Sequence, residues 1–189
     1  FRRQGQMCIG DMRNLRSPSD LQLWFTNSIS EFIRSKGRRM MEWHDITGDT
    51  VHDDVEYHPA QLTNQLASNT IVHFWKGDLE LVRKAVEKGY SVVNSYHWFT
   101  YMDYTYKNLP VEKAYSFQPV TEGIPAQYHK QILGLGAQLW CEWIPTEADI
   151  YRQAFPRLAA YAECGWTQPE NKSWERFSRI AAQRWPGRE

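Results

Sequence analysis

Short apolar runs along this chain alternate with longer stretches whose hydrophobic residues recur every three to four positions, the rhythm of strands joined by helices. Met7 to Met12 reads as the end of a strand. Ser17-Pro18-Ser19-Asp20 then supplies a cap, a proline for the first helical position and an acid for the first turn. In the helix that follows, Leu21, Trp24, Phe25, Ile29, Phe32 and Ile33 fall on one face, and Gly37 stops it. Arg39 to Trp43 predicts the next strand and Asn69 to Trp75 another. Asp78 caps a helix with Leu79, Val82 and Val86 on one side and Gly89 after its last turn, and Tyr90 to Ser95 is again a strand. Ile132 to Trp140 completes the series. Thr146 opens a helix interrupted by Pro156, and Ser173 caps a last amphipathic helix through Trp174, Phe177 and Ile180.

Strand ends fall near Asp11, Trp43, Trp75, Asp103 and Trp140, 28 to 37 residues apart, which is the spacing of βα units. The expected fold class is therefore α/β, of the (β/α)8 TIM-barrel type, with about five units where a closed barrel has eight and about 250 residues. Residues 1–189 read as a single domain, the C-terminal portion of such a barrel. An open sheet needs something over its edges, either the N-terminal part of the barrel or a second copy of the chain. Residues 44–68 carry His, Asp, Gly and Pro59 without periodicity and predict a long loop above the strand ends, where barrel enzymes elaborate their pockets.

Composition narrows the partners. With 42% hydrophobic residues in 189 and a formal net charge of +0, the chain can bury a core but has no electrostatic attraction for nucleic acid or an anionic membrane. No run reaches the roughly 18 apolar residues of a membrane span. Cys8, Cys141 and Cys164 are odd in number and widely spaced, so they form neither a disulfide framework nor a zinc pattern. His44, Asp45, His52, Asp53, Asp54 and His58 match no standard ligand spacing, and a polar loop explains them, so neither metal nor cofactor is expected.

Nine Trp, ten Tyr and eight Phe exceed what packing alone requires, which points to a binding surface. Aromatic rings paired with carboxylates at strand ends suit a carbohydrate. A pyranose offers one apolar face of C–H groups for the rings and a rim of hydroxyls for the acids.

Six segments, in order, carry a resemblance: Gly37-Arg38-Arg39-Met40-Met41-Glu42-Trp43, Val72-His73-Phe74-Trp75-Lys76-Gly77, Tyr101-Met102-Asp103-Tyr104, Gly134 through Glu142, Phe155-Pro156-Arg157, and Trp174 with Phe177 and Arg179. The chain resembles the C-terminal part of the catalytic barrel of family 20 glycoside hydrolases, the β-N-acetylhexosaminidases. Such enzymes remove terminal β-linked N-acetylglucosamine or N-acetylgalactosamine from glycans. The substrate's own acetamido oxygen is their nucleophile, an exception to the two-carboxylate scheme.

The resemblance implies that Trp43, Trp75 and Trp140 wall the pocket and that Tyr101 donates to the acetamide oxygen. It implies that Asp103 and Glu142 bind ring hydroxyls and that Asp11 steadies the acetamide N–H. It also implies a secreted, periplasmic or lysosomal setting. Trp24, Trp166, Trp174 and Trp185 are left to packing, and Tyr96, Trp98, Tyr104 and Tyr106 crowd around Tyr101 as rivals for its role.

Two departures stand out. The family's catalytic pair is a consecutive Asp-Glu, but here Asp11 is followed by Met12, which has no proton to give. An inactive homologue, an engineered change and a register error in a short segment all remain open as explanations. The second departure is His44-Asp45 after Trp43, where the family usually has Asp or Asn and then Glu. Three functions compete: an exo-acting β-N-acetylhexosaminidase, a catalytically silent N-acetylhexosamine-binding protein, and a metal-dependent hydrolase built on residues 44–58.

Overall fold

The computed structural model describes residues 18–47 and 65–187. Four strands, β1 (Met41–Trp43), β2 (Ile71–Phe74), β3 (Ser91–Asn94) and β4 (Ile132–Leu135), lie in one sheet in the order of the sequence. β1 and β2 run parallel, with Met41 opposite Ile71 and Trp43 opposite His73. Seven helices accompany them among the described residues: α1 (Pro18–Ser35), α2 (Glu80–Glu87), α3 (His97–Thr100), α4 (Val111–Tyr115), α5 (Glu147–Ala154), α6 (Arg157–Trp166) and α7 (Trp174–Arg184). This is an α/β fold of the (β/α)8 type, represented by part of its barrel. The strand expected at Met7 to Met12 lies outside the described residues. No helix among them is long and apolar enough to cross a membrane.

Contacts divide the chain into two compact units, residues 1–73 with 77–92 and residues 74–76 with 93–189. In the first unit two glycines end helices. Gly37 (φ 69°) lets its own N–H reach Arg34 O and the Arg38 N–H reach Ile33 O, while Gly89 (φ 90°) does the same with Val86 O and, through Tyr90, Ala85 O. Only a residue at ease in the left-handed region closes a helix in this way. Asp78 Oδ1 accepts the Glu80 N–H ahead of α2. α2 buries Leu81, Val82, Ala85 and Val86, the face its periodicity selects.

α1 turns its other face inward. Asp20, Leu23, Thr26 and Ser30 are buried, while Phe25, Ile29 and Phe32 from the apolar set are exposed. Polar anchoring explains this orientation. Asn27 donates to Gln65 O at 2.9 Å and accepts the Ala67 N–H at 2.8 Å, and Ser30 Oγ lies 3.4 Å from Thr70 Oγ1. Backbone groups at 65–70 need polar partners, so the side of α1 that can supply them faces that segment. Arg39, ahead of β1, bonds Asn69 O and Ser91 Oγ.

In the second unit, α4, α6 and α7 pack Leu109, Val111, Ala114, Tyr115, Tyr161 and Phe177 into one core. Thr146 and Ser173 cap α5 and α7 by accepting the Asp149 and Arg176 N–H groups. Proline has no N–H to continue a helix, and α5 accordingly ends at Ala154, with α6 starting after Pro156.

Two expectations are corrected here. The strand expected over Tyr90 to Ser95 is present and ends at Asn94, so the strand end counted near Asp103 is not one; the Asn94 side chain accepts the Tyr96 N–H and donates to Pro119 O. An Asx turn of this kind takes the chain out of the sheet and into α3. Tyr101 then rejoins only as an isolated parallel bridge to Gln138. Trp166, assigned to packing, is 91% exposed at the end of α6, whereas Trp174 packs on Tyr115 and Trp185 stacks on Phe155.

Candidate functional site

Backbone hydrogen bonds around that bridge position the second unit's aromatic residues. The Met102 N–H donates to Gln138 O at 2.8 Å and the Gln138 N–H to Thr100 O at 3.1 Å, so the segment carrying Tyr101 lies beside the one leading to Trp140. Tyr101, only 7% exposed, stacks on Trp75 with ring centroids 6.3 Å apart and planes 11° from parallel. The Trp140 ring also meets Tyr101, with centroids 6.0 Å apart and planes tilted by 60°. Lys76 Nζ sits 5.9 Å from the Trp75 ring centroid.

Two of the rival tyrosines are occupied elsewhere. Tyr104 Oη lies 2.6 Å from His97 Nδ1, and Tyr106 Oη lies 2.8 Å from both Arg152 O and Phe155 O.

Asp103 follows Tyr101 by two residues and Glu142 follows Trp140 by two. Asp103 Oδ1 is buried without a hydrogen-bond partner among the described residues. Burial pushes the Asp103 pKa up, and the charge of Glu142 adds to the rise. The N–H groups of Asp103 and Trp140, and the Arg157 guanidinium, pull it down. The structure thus brings together Trp75, Tyr101, Asp103, Trp140 and Glu142.

Trp43 belongs to the first unit. Parallel register sets it opposite His73, and the two rings stack at 4.3 Å and 10°. Burial lowers the His73 pKa, which keeps the imidazole neutral against the indole. Asp11 and Met12 lie outside the described residues, as do His52, Asp53, Asp54 and His58. His44 is fully buried on a short 3-10 turn with Asp45, rather than displayed on an open loop. Among the described residues no three His, Cys, Asp or Glu side chains are grouped to hold a metal ion.

Three residues were not singled out from the sequence. His97 reaches Tyr104 and sets its ring edge against Tyr101 at 5.8 Å. Its i,i+4 spacing to Tyr101 was the available signal. Burial, then the charges of Lys76 and Lys113, lowers its pKa and favours the neutral ring. His73 is signalled only by sheet register. Arg157 was noted within a motif and given no task, yet it is a charged residue in the apolar run Phe155 to Ala160, and it is fully buried.

Flat rings beside a carboxylate with an unused oxygen can hold a polyhydroxylated ring by its apolar face and one hydroxyl edge.

The chain resembles known proteins over most of its length. The model of glycosyl hydrolase family 20, catalytic domain, matches residues 4–169. A β-hexosaminidase of Porphyromonas gingivalis is 25% identical over 186 residues, covering 92% of this chain and 22% of that protein. A β-N-acetylhexosaminidase of Cellulomonas fimi is 25% identical over 167 residues, covering 82% and 30%. This chain therefore spans less than a third of the length of either relative. Among solved structures, the exo β-N-acetylglucosaminidase of Vibrio harveyi in complex with N-acetylglucosamine superposes with a TM-score of 0.76 at 24% identity, over 94% of this chain and 28% of that one. The β-N-acetylhexosaminidase of Bacteroides fragilis gives 0.71 at 24% identity, over 95% and 36%. At that identity the structural likeness speaks for the fold.

Proposed function

The chain belongs to glycosyl hydrolase family 20, and from that premise we propose that it supplies most of the sugar pocket of a β-N-acetylhexosaminidase acting on terminal β-linked N-acetylglucosamine or N-acetylgalactosamine. The observation that carries this reading is Tyr101 in ring contact with both Trp75 and Trp140, with the unpartnered Asp103 Oδ1 two residues on. The acetamido oxygen of the substrate attacks the anomeric carbon as the bond to the leaving oxygen breaks, giving an oxazolinium ion that water then opens.

Tyr101 donates to the acetamide oxygen and so holds it in line with the anomeric carbon; because that oxygen gives up electron density as it attacks, the bond serves orientation. Trp75 and Trp140 wall the acetamide and the sugar face, and the family resemblance gives Trp43 the same role. Asp103 and Glu142 accept from hydroxyls on the far side of the ring. Asp11 holds the acetamide N–H and offsets the positive charge of the oxazolinium ion. The leaving oxygen needs a proton, and general acid catalysis of this kind contributes about 10²- to 10⁴-fold. Met12 stands at the position from which the family supplies it.

Met12 also favours a second reading, a sugar-binding protein that keeps the aromatic walls and has lost hydrolysis. Turnover of a nitrophenyl N-acetyl-β-glucosaminide by the chain and by Met12→Glu separates the two. A rate rising by about 10²-fold or more in the variant supports the enzyme scaffold. Equal rates sink Met12 as the acid position. Binding tests the pocket itself: an N-acetylglucosamine thiazoline, which mimics the cyclised intermediate, is expected to bind more tightly than glucose. Equal affinity for both removes the acetamide pocket from the proposal.

A further inference from the structure

Arg157 is fully buried, and among the described residues it belongs to no ion pair. Its guanidinium is spent on backbone instead. Nη2 donates to Met102 O at 2.6 Å, and Nη1 donates to Tyr104 O at 2.8 Å and Leu109 O at 3.3 Å. Nε and Nη2 also reach Gln153 O, and Nη2 reaches Gln153 Oε1. Gln153 in turn donates from Nε2 to Asp103 O at 3.3 Å. The carbonyls of three successive residues, 102, 103 and 104, are thereby held by one arginine and the glutamine it orients. The Tyr106 ring closes over the guanidinium, its centroid 4.1 Å away.

A buried cation is costly, and packing alone is served as well by an apolar side chain. The donors of a planar fork satisfy several carbonyls at fixed angles, which a lysine ammonium does not reproduce. Asp103 sits at the middle of the clamped segment, outside any strand, with one carboxylate oxygen buried and unmatched. Left loose, that carboxylate would turn toward water.

We propose that Arg157 is a positioning residue: by clamping the backbone on both sides of Asp103 it fixes the direction in which the Asp103 carboxylate meets a sugar hydroxyl. This rests on the functional reading above, and the test keeps the two apart.

Thiazoline affinity is measured for the chain and for Arg157→Lys, Asp103→Asn and the double variant, with Tyr161→Phe as a control. Tyr161 is equally buried and donates to Phe99 O, away from residues 102–104. Arg157→Lys is expected to weaken binding about tenfold, while adding it to Asp103→Asn costs less than about twofold more, because two residues acting through one contact are not additive. Losses that multiply in the double variant, or a Tyr161→Phe loss as large as that of Arg157→Lys, overturn the proposal.

Hydrogen exchange needs no ligand. Arg157→Lys is expected to speed exchange about tenfold or more at residues 102–109 and leave 91–94 unchanged. Uniform acceleration makes Arg157 a general stabiliser and overturns the positioning role. A chain that binds no thiazoline yet shows the local acceleration refutes the sugar reading and keeps the clamp.

Discussion

The segments at Tyr101 and Trp140 carry the same short pattern, an aromatic ring with a carboxylate two residues later, and the tertiary structure treats them in opposite ways. Tyr101 is buried, Met102 is bonded to Gln138, and the carbonyls of 102 to 104 are clamped by Arg157 and Gln153. Trp140 is 41% exposed and opens a three-residue 3-10 turn in which Cys141, Glu142 and Trp143 are all exposed. One half of the proposed pocket is held by buried hydrogen bonds, and the other meets solvent. On the proposed reading, a hydroxyl at Asp103 would meet a group whose backbone is already held, so less ordering would be lost on binding there than at Glu142.

The largest expected effect breaks the contrast at its source. Arg157→Met leaves the Met102 and Tyr104 carbonyls buried without donors and lowers stability by about 4 kcal/mol, whereas Glu142→Gln stays within about 0.5 kcal/mol. Urea unfolding of both variants checks this, and similar midpoints would show that the clamp contributes no more than the exposed turn.

Ligand affinity comes next. Tyr101→Phe removes the proposed donor to the acetamide and is expected to weaken thiazoline binding by about 1 to 3 kcal/mol while leaving glucose unaffected. Titration calorimetry with both ligands reads the difference. Asp103→Asn is expected to cost about 2 kcal/mol and Glu142→Gln about 1 kcal/mol, because only the first group is fixed before the ligand arrives. The reverse order would show that the exposed carboxylate governs recognition.

Acid sharpens the comparison further. Burial, reinforced by Glu142, holds the Asp103 pKa above its ordinary value, so the folded chain takes up this proton before the unfolded chain does. Its contribution to stability is present below the unfolded-state pKa and is lost as pH rises through the raised folded value. Binding runs the other way. A carboxylate that accepts from a hydroxyl must be ionised, so affinity is expected to fall as pH drops through that raised value, and Asp103→Asn is expected to remove this step. Thiazoline affinity followed from about pH 7 to about pH 4 gives the curve. An identical step in the Asn variant assigns it to another group.

The smallest effect concerns the exposed tryptophans. Trp143 and Trp166 are 83% and 91% exposed, so replacing either with Ala is expected to leave stability within about 0.5 kcal/mol. Thermal unfolding measures this, and a larger loss would mean that the ring is covered in the protein in solution.

What was legible in the sequence was whatever depends on neighbours a few residues away. Gly37, Gly89, Thr146 and Ser173 bound their helices as expected, because capping is settled within a turn. The order of the strands and helices followed from periodicity, whereas the nearness of Trp75, Tyr101 and Trp140 did not follow from strand ends, since β3 stops at Asn94 and β4 at Leu135.

Long-range partners decided the rest. The helical period marked an apolar face on α1, but the polar needs of residues 65–70, some 40 positions away, turned Asn27 and Ser30 inward. Asn94 ended its strand through a bond to Pro119. Arg157 had no task in the sequence beyond its place in a motif, and only the fold sets the Met102, Tyr104 and Leu109 carbonyls around it. Local periodicity sets which residues share a face, whereas burial depends on what distant backbone requires, and only the folded chain brings that requirement to the side chain that meets it.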